Sequence, residues 1–138
     1  MNLKFLLDSN IISEPIRAIP NPKVLDSLSR HAGEMATATI VWHELSFGVN
    51  RLPESKKRKV LEKYLQEEVE AKLPFLSYDV EAAVWHAQER ARLAKIGITP
   101  PFADSQIAAI AKVNGLILVT NNVADYTNFN DLQIENWY

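Results

Sequence analysis

The run Leu116-Ile117-Leu118-Val119, closed by Thr120, is the clearest strand signal in the chain. It is short and apolar without interruption, the pattern of a strand buried in a sheet rather than half-exposed. A second apolar run, residues 3–7, broken only by Lys4, opens the chain, and Asp8 follows it directly. Weaker strand-like stretches lie at 34–39, at 74–78 and in the tail "LQIENWY". Between them the periodicity changes to that of helices. "SNIISEPI" (9–16) reads as a short capped helix stopped near Pro15. Residues 21–32 carry an Asn21 cap with Pro22 in the first turn. Residues 40–52 space Ile40, Val41, Leu45 and Val49 as a helix. Residues 53–73 read as one charged amphipathic helix with Val60, Leu61, Tyr64, Leu65 and Val69 on a face. Residues 79–97 are capped by Asp79 and stopped by Gly97, and residues 100–115 end at Asn114-Gly115. Strands that alternate with helices pair in parallel through crossovers. The expected class is therefore α/β, a small, mainly parallel central sheet flanked by helices. The 138 residues fit one domain, 1–138, with no repeat or linker to divide it.

Composition narrows the function classes. The chain has no cysteine, which excludes disulfides and thiolate metal sites and fits a reducing, cytoplasmic setting. A net charge of −2 excludes a globally basic nucleic-acid binder but leaves room for a local basic patch. Neither a signal peptide nor a membrane span is expected.

Three acids stand out by position. Asp8 ends the first strand. Glu44 sits inside the helix 40–52, on the side of Ile40 and Gly48. Asp104 opens the helix 100–115 on the face of Ile107, Ala108 and Ala111, which should be buried. Each has a simpler reading: Asp8 as a helix cap, Asp104 as a first-turn acid favoured by the helix dipole, Glu44 as a surface residue. Their combination weighs against those readings. In a parallel sheet the ends of strands 3–7 and 116–120 share one edge, where following helices begin. Asp8, Asp104 and "TNNVAD" (120–125) are expected to converge there, with Glu44 joining them. Clustered carboxylates repel and are costly to bury without a partner. A hard divalent cation relieves that cost, and oxygen-only ligation suits Mg²⁺, with Mn²⁺ as a substitute.

At these residues the chain resembles the PIN-domain ribonucleases, specifically the VapC toxins of type II toxin–antitoxin pairs. "FLLDSNIIS", "ATIVWHELSFG", "FADSQIAAIA", "LILVTNNVADY" and the closing "LQIENWY" follow the family's motifs in order and cover essentially the whole chain. The resemblance implies a PIN-like three-layer fold and a Mg²⁺-dependent endoribonuclease that hydrolyses the phosphodiester bonds of structured RNA such as tRNA. It implies Asp8, Glu44 and Asp104 as metal-binding catalytic acids. The fourth motif departs from the pattern, because Asn122 stands where many relatives have an acid. Asn122 and Asp125 are both candidates for that position, and Ser9 and Thr120 are expected to hold the carboxylates through hydrogen bonds. A VapB-like antitoxin, a homodimer, and DNA contact only through the antitoxin are implied likewise.

The cationic runs "ESKKRK" (54–59) and "ERARLAK" (89–95) read first as solvated helix faces and second as RNA-backbone contacts. "HELSF" lacks the second histidine of a zinc protease, since position 47 is Phe. His31, His43 and His86 read as structural or surface residues, and Trp42, Trp85 and Trp137 as packing or interface residues. A phosphotransferase using Asp8 as nucleophile is disfavoured by Asn10, because haloacid-dehalogenase-like enzymes need an acid there. A receiver-like module needs a lysine after a late strand, where this chain has Thr-Asn-Asn. The remaining alternative is a catalytically degenerate PIN domain acting as an RNA- or protein-binding module.

Overall fold

The computed structural model describes residues 2–138. The strands are β1 (Phe5–Leu7), β2 (Met35–Ala38), β3 (Phe75–Leu76), β4 (Ile117–Val119) and β5 (Ile134–Glu135). The helices are α1 (Ser9–Ser13), α2 (Pro22–Arg30), α3 (Thr39–Asn50), α4 (Lys56–Tyr64), α5 (Val80–Lys95) and α6 (Phe102–Val113). All strand pairs are parallel, in the order β3-β2-β1-β4-β5. The chain starts in the middle of the sheet, builds outward through β2 and β3, then returns across β1 to lay down β4 and β5. The reversal of direction falls between β1 and β4, and their carboxyl ends form the crevice where such sheets bind ligands.

The apolar runs form β1 and β4 because both faces are covered. Phe5, Leu6, Leu7, Leu118 and Val119 are all buried, as are Ile107 to Ala111 of α6. Each large aliphatic side chain removed from water contributes roughly 1.5–3 kcal/mol, so the pieces that carry Asp8 and Thr120 are among the most firmly anchored. Expected caps are present. The Asn21 side chain accepts from Lys23 and Val24 N–H, Asp79 accepts from Ala82 N–H, and Gly97 takes φ +77° just beyond α5.

One expectation fails. The segment 53–73 is not a single helix, because Ser55 caps a helix that begins only at Lys56. Beyond Tyr64 the backbone widens into a π-helical stretch, Leu65–Glu70, with an Ala71 N–H to Gln66 carbonyl bond at 3.2 Å. Leu65 and Val69 are buried through that stretch. The periodic pattern located the buried face but not the change in winding. Among the described residues no helix is long and apolar enough to cross a membrane.

Candidate metal centre

Asp8 is both a cap and the centre of a hydrogen-bond cluster. Its backbone is extended, its Oδ1 accepts from Ser9 N–H at 2.8 Å, and its carbonyl accepts from Ile11 and Ile12 N–H. Its own N–H donates to the Val119 carbonyl at 3.0 Å, which fastens the end of β1 to the end of β4. Oδ2 accepts from the Thr120 hydroxyl at 2.9 Å, the Tyr126 hydroxyl at 3.3 Å and the Asn10 amide at 3.4 Å. The side chain is only 5% exposed. The cap reading of Asp8 is thus realised, and the same carboxylate is the acceptor at the centre of the cluster.

Asp104 arrives from the first turn of α6, where Ile107, Ala108 and Ala111 pull the helix into the core. Its Oδ1 lies 3.4 Å from the same Tyr126 hydroxyl. Glu44 arrives from the middle of α3, and its Oε2 accepts from the Ser9 hydroxyl at 3.4 Å. The expected convergence of Asp8, Glu44 and Asp104 is observed, and Ser9 and Thr120 do contact the carboxylates. Asp125 is exposed beside Asp104. Asn122 is exposed too. Its N–H donates to the Thr120 hydroxyl at 3.0 Å, while its side-chain amide makes no hydrogen bond among the described residues. Of the two candidates in the fourth motif, Asp125 is the one that acts on another site acid electrostatically.

The electrostatics are those of like charges held together. Loss of hydration, then the charges of Asp125 and Asp8, raise the Asp104 carboxyl above the ordinary aspartate range, against the opposing Tyr126 hydrogen bond. Glu44 is open to solvent overall. Protein on its inner side, then the charges of Asp8 and Asp104, nevertheless push it upward. Burial and the same two aspartates drive the Tyr126 phenol far upward, so it remains a protonated donor. Among the described residues none of Asp8, Glu44, Asp104 and Asp125 forms an ion pair.

The donor set fits a hard cation: three or four carboxylates, hydroxyls and an amide, with no lysine or arginine paired to them among the described residues, although the charge of His43 acts on Glu44. Among the described residues no three acidic or histidine side chains are drawn close enough to share one ion directly. Asp8 and Asp104 meet at Tyr126, and Glu44 reaches them only through Ser9. Two grooves flank Glu44. One, of about 560 Å³, is lined by Thr39, His43, Phe102 and Gln106, and the other, of about 320 Å³, by Ser9, Ser13 and Gly48.

Two polar residues of the cluster carry no individual signal in the sequence. Asn10 bridges Asp8, Thr120 and the Asn121 N–H, yet reads only as a helix-start residue. Tyr126 lies inside the fourth motif, where an aromatic after "VAD" looks like packing. His86 is buried against Tyr78 and Phe102, Trp137 packs on Phe5 and His31, Trp42 on Phe75, and Trp85 on Phe129, while His43 is exposed on α3 and lines the groove beside Glu44. Arg92 in the second cationic run is occupied by Glu89 and the Asn128 carbonyl.

The PIN domain family model matches residues 5–126. The chain is 32% identical over 137 residues to the tRNA(fMet)-specific endonuclease VapC of Shigella flexneri, with 98% of each chain covered. Among solved structures it matches FitAB bound to an IR36 DNA fragment, with a TM-score of 0.89 and 29% identity, covering 97% of this chain and 96% of that one. It also matches DNA-bound VapBC from Salmonella typhimurium, with a TM-score of 0.84 and 28% identity over 99% of both chains.

Proposed function

The chain belongs to the PIN-domain family as a VapC-type ribonuclease toxin, and we propose that it is a Mg²⁺-dependent endoribonuclease acting on structured RNA such as tRNA, restrained by a VapB-like antitoxin. The observation that carries this reading is the meeting of Asp8 and Asp104 at one hydroxyl, with Glu44 linked through Ser9 and none of the three in a salt bridge among the described residues. Asp8, Asp104 and Glu44 would hold the ion, partly through water, with Asp125 extending the acidic rim. When bound, Mg²⁺ supplies a Lewis acid for a phosphoryl oxygen and lowers the pKa of a coordinated water.

The residues of the chain do the positioning. Thr120, Asn10 and the Ser9 N–H fix Asp8 so that it does not turn away as charge is brought to it. Glu44 stands at the rim between the two grooves and is the acid open to solvent, the place for a group that takes up a proton from water. The grooves run on either side of it, which suits a chain-like substrate passing over the acids. The relative's name, tRNA(fMet)-specific endonuclease, supports tRNA as the first RNA to test. The toxin–antitoxin complexes among the structural matches support the antitoxin; a homodimeric toxin and DNA contact made only through the antitoxin belong to the same proposal. A cytoplasmic location follows from such substrates.

The test is cleavage of total tRNA with Mg²⁺, with chelator, and by Asp8→Asn whose fold is checked by circular dichroism. The wild type is expected to cut only with the metal, and the folded variant not at all. Equal Mg²⁺-dependent cleavage by the folded variant would sink the assignment. RNA binding without cleavage by the wild type would favour the degenerate binding module.

A further inference from the structure

We propose that Tyr126 is a positioning residue for the metal centre: its hydroxyl, held between Asp8 and Asp104, sets the spacing of the two carboxylates and keeps it when no metal is bound. The inference rests on the reading that these acids hold a divalent cation.

The two aspartates are held very unequally. Asp8 receives four donors: the Ser9 N–H, the Asn10 amide, and the Thr120 and Tyr126 hydroxyls. Asp104 has, among the described residues, Tyr126 alone. Without that contact its carboxylate is a like charge on a rotatable side chain, and repulsion from Asp8 and Asp125 would swing it outward. The hydroxyl lies at nearly equal distances, 3.3 and 3.4 Å, from the two acids, so its single proton is within reach of either carboxylate. It occupies Oδ1 of Asp104 and leaves Oδ2 without a donor, so it spaces the ligands without filling the ion's place.

The hydroxyl cannot withdraw. Tyr126 is 1% exposed, and its ring packs on Phe129 with centroids 6.4 Å apart. The segment that carries it is tied to α5 at two points. Arg92 donates to the Asn128 carbonyl at 2.7 Å, and Asn130 N–H donates to Glu89 Oε1 at 2.7 Å. Glu89 and Arg92 are themselves joined by two bonds, at 2.9 and 3.0 Å. The helix on the far side of the loop thereby fixes the tyrosine, and the tyrosine fixes Asp104.

The test is Tyr126→Phe, which removes the hydroxyl and keeps the ring. Mn²⁺ alone is titrated calorimetrically into wild type and variant, and RNA cleavage is followed in parallel. The variant is expected to bind Mn²⁺ about tenfold more weakly, in line with the loss of an outer-shell partner. Its kcat should fall with little change in KM, while the metal-free melting temperature stays within about 2 °C. A variant that binds Mn²⁺ within about twofold of wild type overturns the proposal, whatever its stability. If wild type itself takes up no Mn²⁺, the cation reading fails and this inference fails with it. A second measurement needs no variant. In wild type carrying ¹³Cζ-tyrosine, the Tyr126 resonance should move as Mg²⁺ fills the site, and a resonance that stays still under saturating Mg²⁺ contradicts the proposal.

Discussion

Two sets of acids in this small domain meet opposite treatment. Glu14 and Glu89 are 3% and 6% exposed, about as buried as Asp8. Glu14 accepts from the Tyr138 hydroxyl at 2.6 Å and from Asn21 N–H at 2.8 Å, and pairs with Arg17. Glu89 accepts from Arg92 twice and from Asn130 N–H. In both, these donors outweigh burial and hold the carboxyl below the ordinary glutamate range, led by Tyr138 for Glu14 and by Arg92 for Glu89. At the sheet edge the same chemistry is left unbalanced. Glu44 and Asp104 are raised, and among the described residues neither is paired with a guanidinium or ammonium. The difference separates charge the fold neutralises for itself from charge it keeps for a cation supplied from outside. Stability is given up at the second place so that binding can restore it.

The sharpest way to break this contrast is to neutralise one acid from each set. Asp104→Asn should lower RNA cleavage by about a thousandfold, since several kcal/mol of charge stabilisation goes with it. In the absence of metal it should melt no lower than wild type. Glu89→Gln should do the reverse. Cutting its two-bond contact with Arg92 and loosening the loop of Tyr126 should lower the melting temperature by about 5 °C, with activity falling far less than in Asp104→Asn. A thermal scan beside a cleavage time course separates the two variants.

The pH dependence of stability sharpens the contrast further. Glu14 and Glu89 have depressed values in the fold, so their stabilisation is complete above the ordinary glutamate value of 4.5 and is lost as pH falls through their folded values. Glu44 and Asp104 have raised values. Their effect is favourable below the ordinary values of 4.5 and 3.8 and is lost as pH rises through the folded values. Metal-free protein should therefore melt highest at mildly acidic pH and lose stability toward neutrality. Saturating Mg²⁺ should remove the fall on the neutral side and leave the acid side unchanged. The smallest effect is expected at the rim. Asp125→Asn should cut activity by about tenfold, and Asn122→Asp should change it less, because among the described residues Asn122 makes no side-chain hydrogen bond at the site.

Much of this contrast was legible in the chain itself, on the side of the unbalanced acids. Asp8 and Asp104 sit at ends of strongly patterned elements, where position alone marks an acid as unusual, and Glu44 lies at a helical spacing that can be counted. The balanced acids were not legible. Glu14 next to Pro15 and Glu89 inside a charged helix look like surface residues until Tyr138 and Asn130, 124 and 41 positions away, fold back onto them. Tyr126 and Asn10 escaped for a similar reason, because the bonds from Tyr126 to Asp8 and from Asn10 to Thr120 and Asn121 join residues more than a hundred positions apart and leave no local periodicity. The π-helical winding after Tyr64 escaped because Leu65 and Val69 satisfy the ordinary helical spacing equally well.

The most direct measurement is thermal unfolding at neutral pH with and without saturating Mg²⁺, for wild type, Asp8→Asn and Glu89→Gln. At a hundred times the dissociation constant, binding adds about 2.7 kcal/mol. Wild type should therefore gain about 5 °C or more, and Glu89→Gln should show a clear gain from its lower starting point. Asp8→Asn should gain almost nothing. An Asp8→Asn protein that gains as much from Mg²⁺ as wild type would contradict the view that the uncompensated acids at this sheet edge are a cation site.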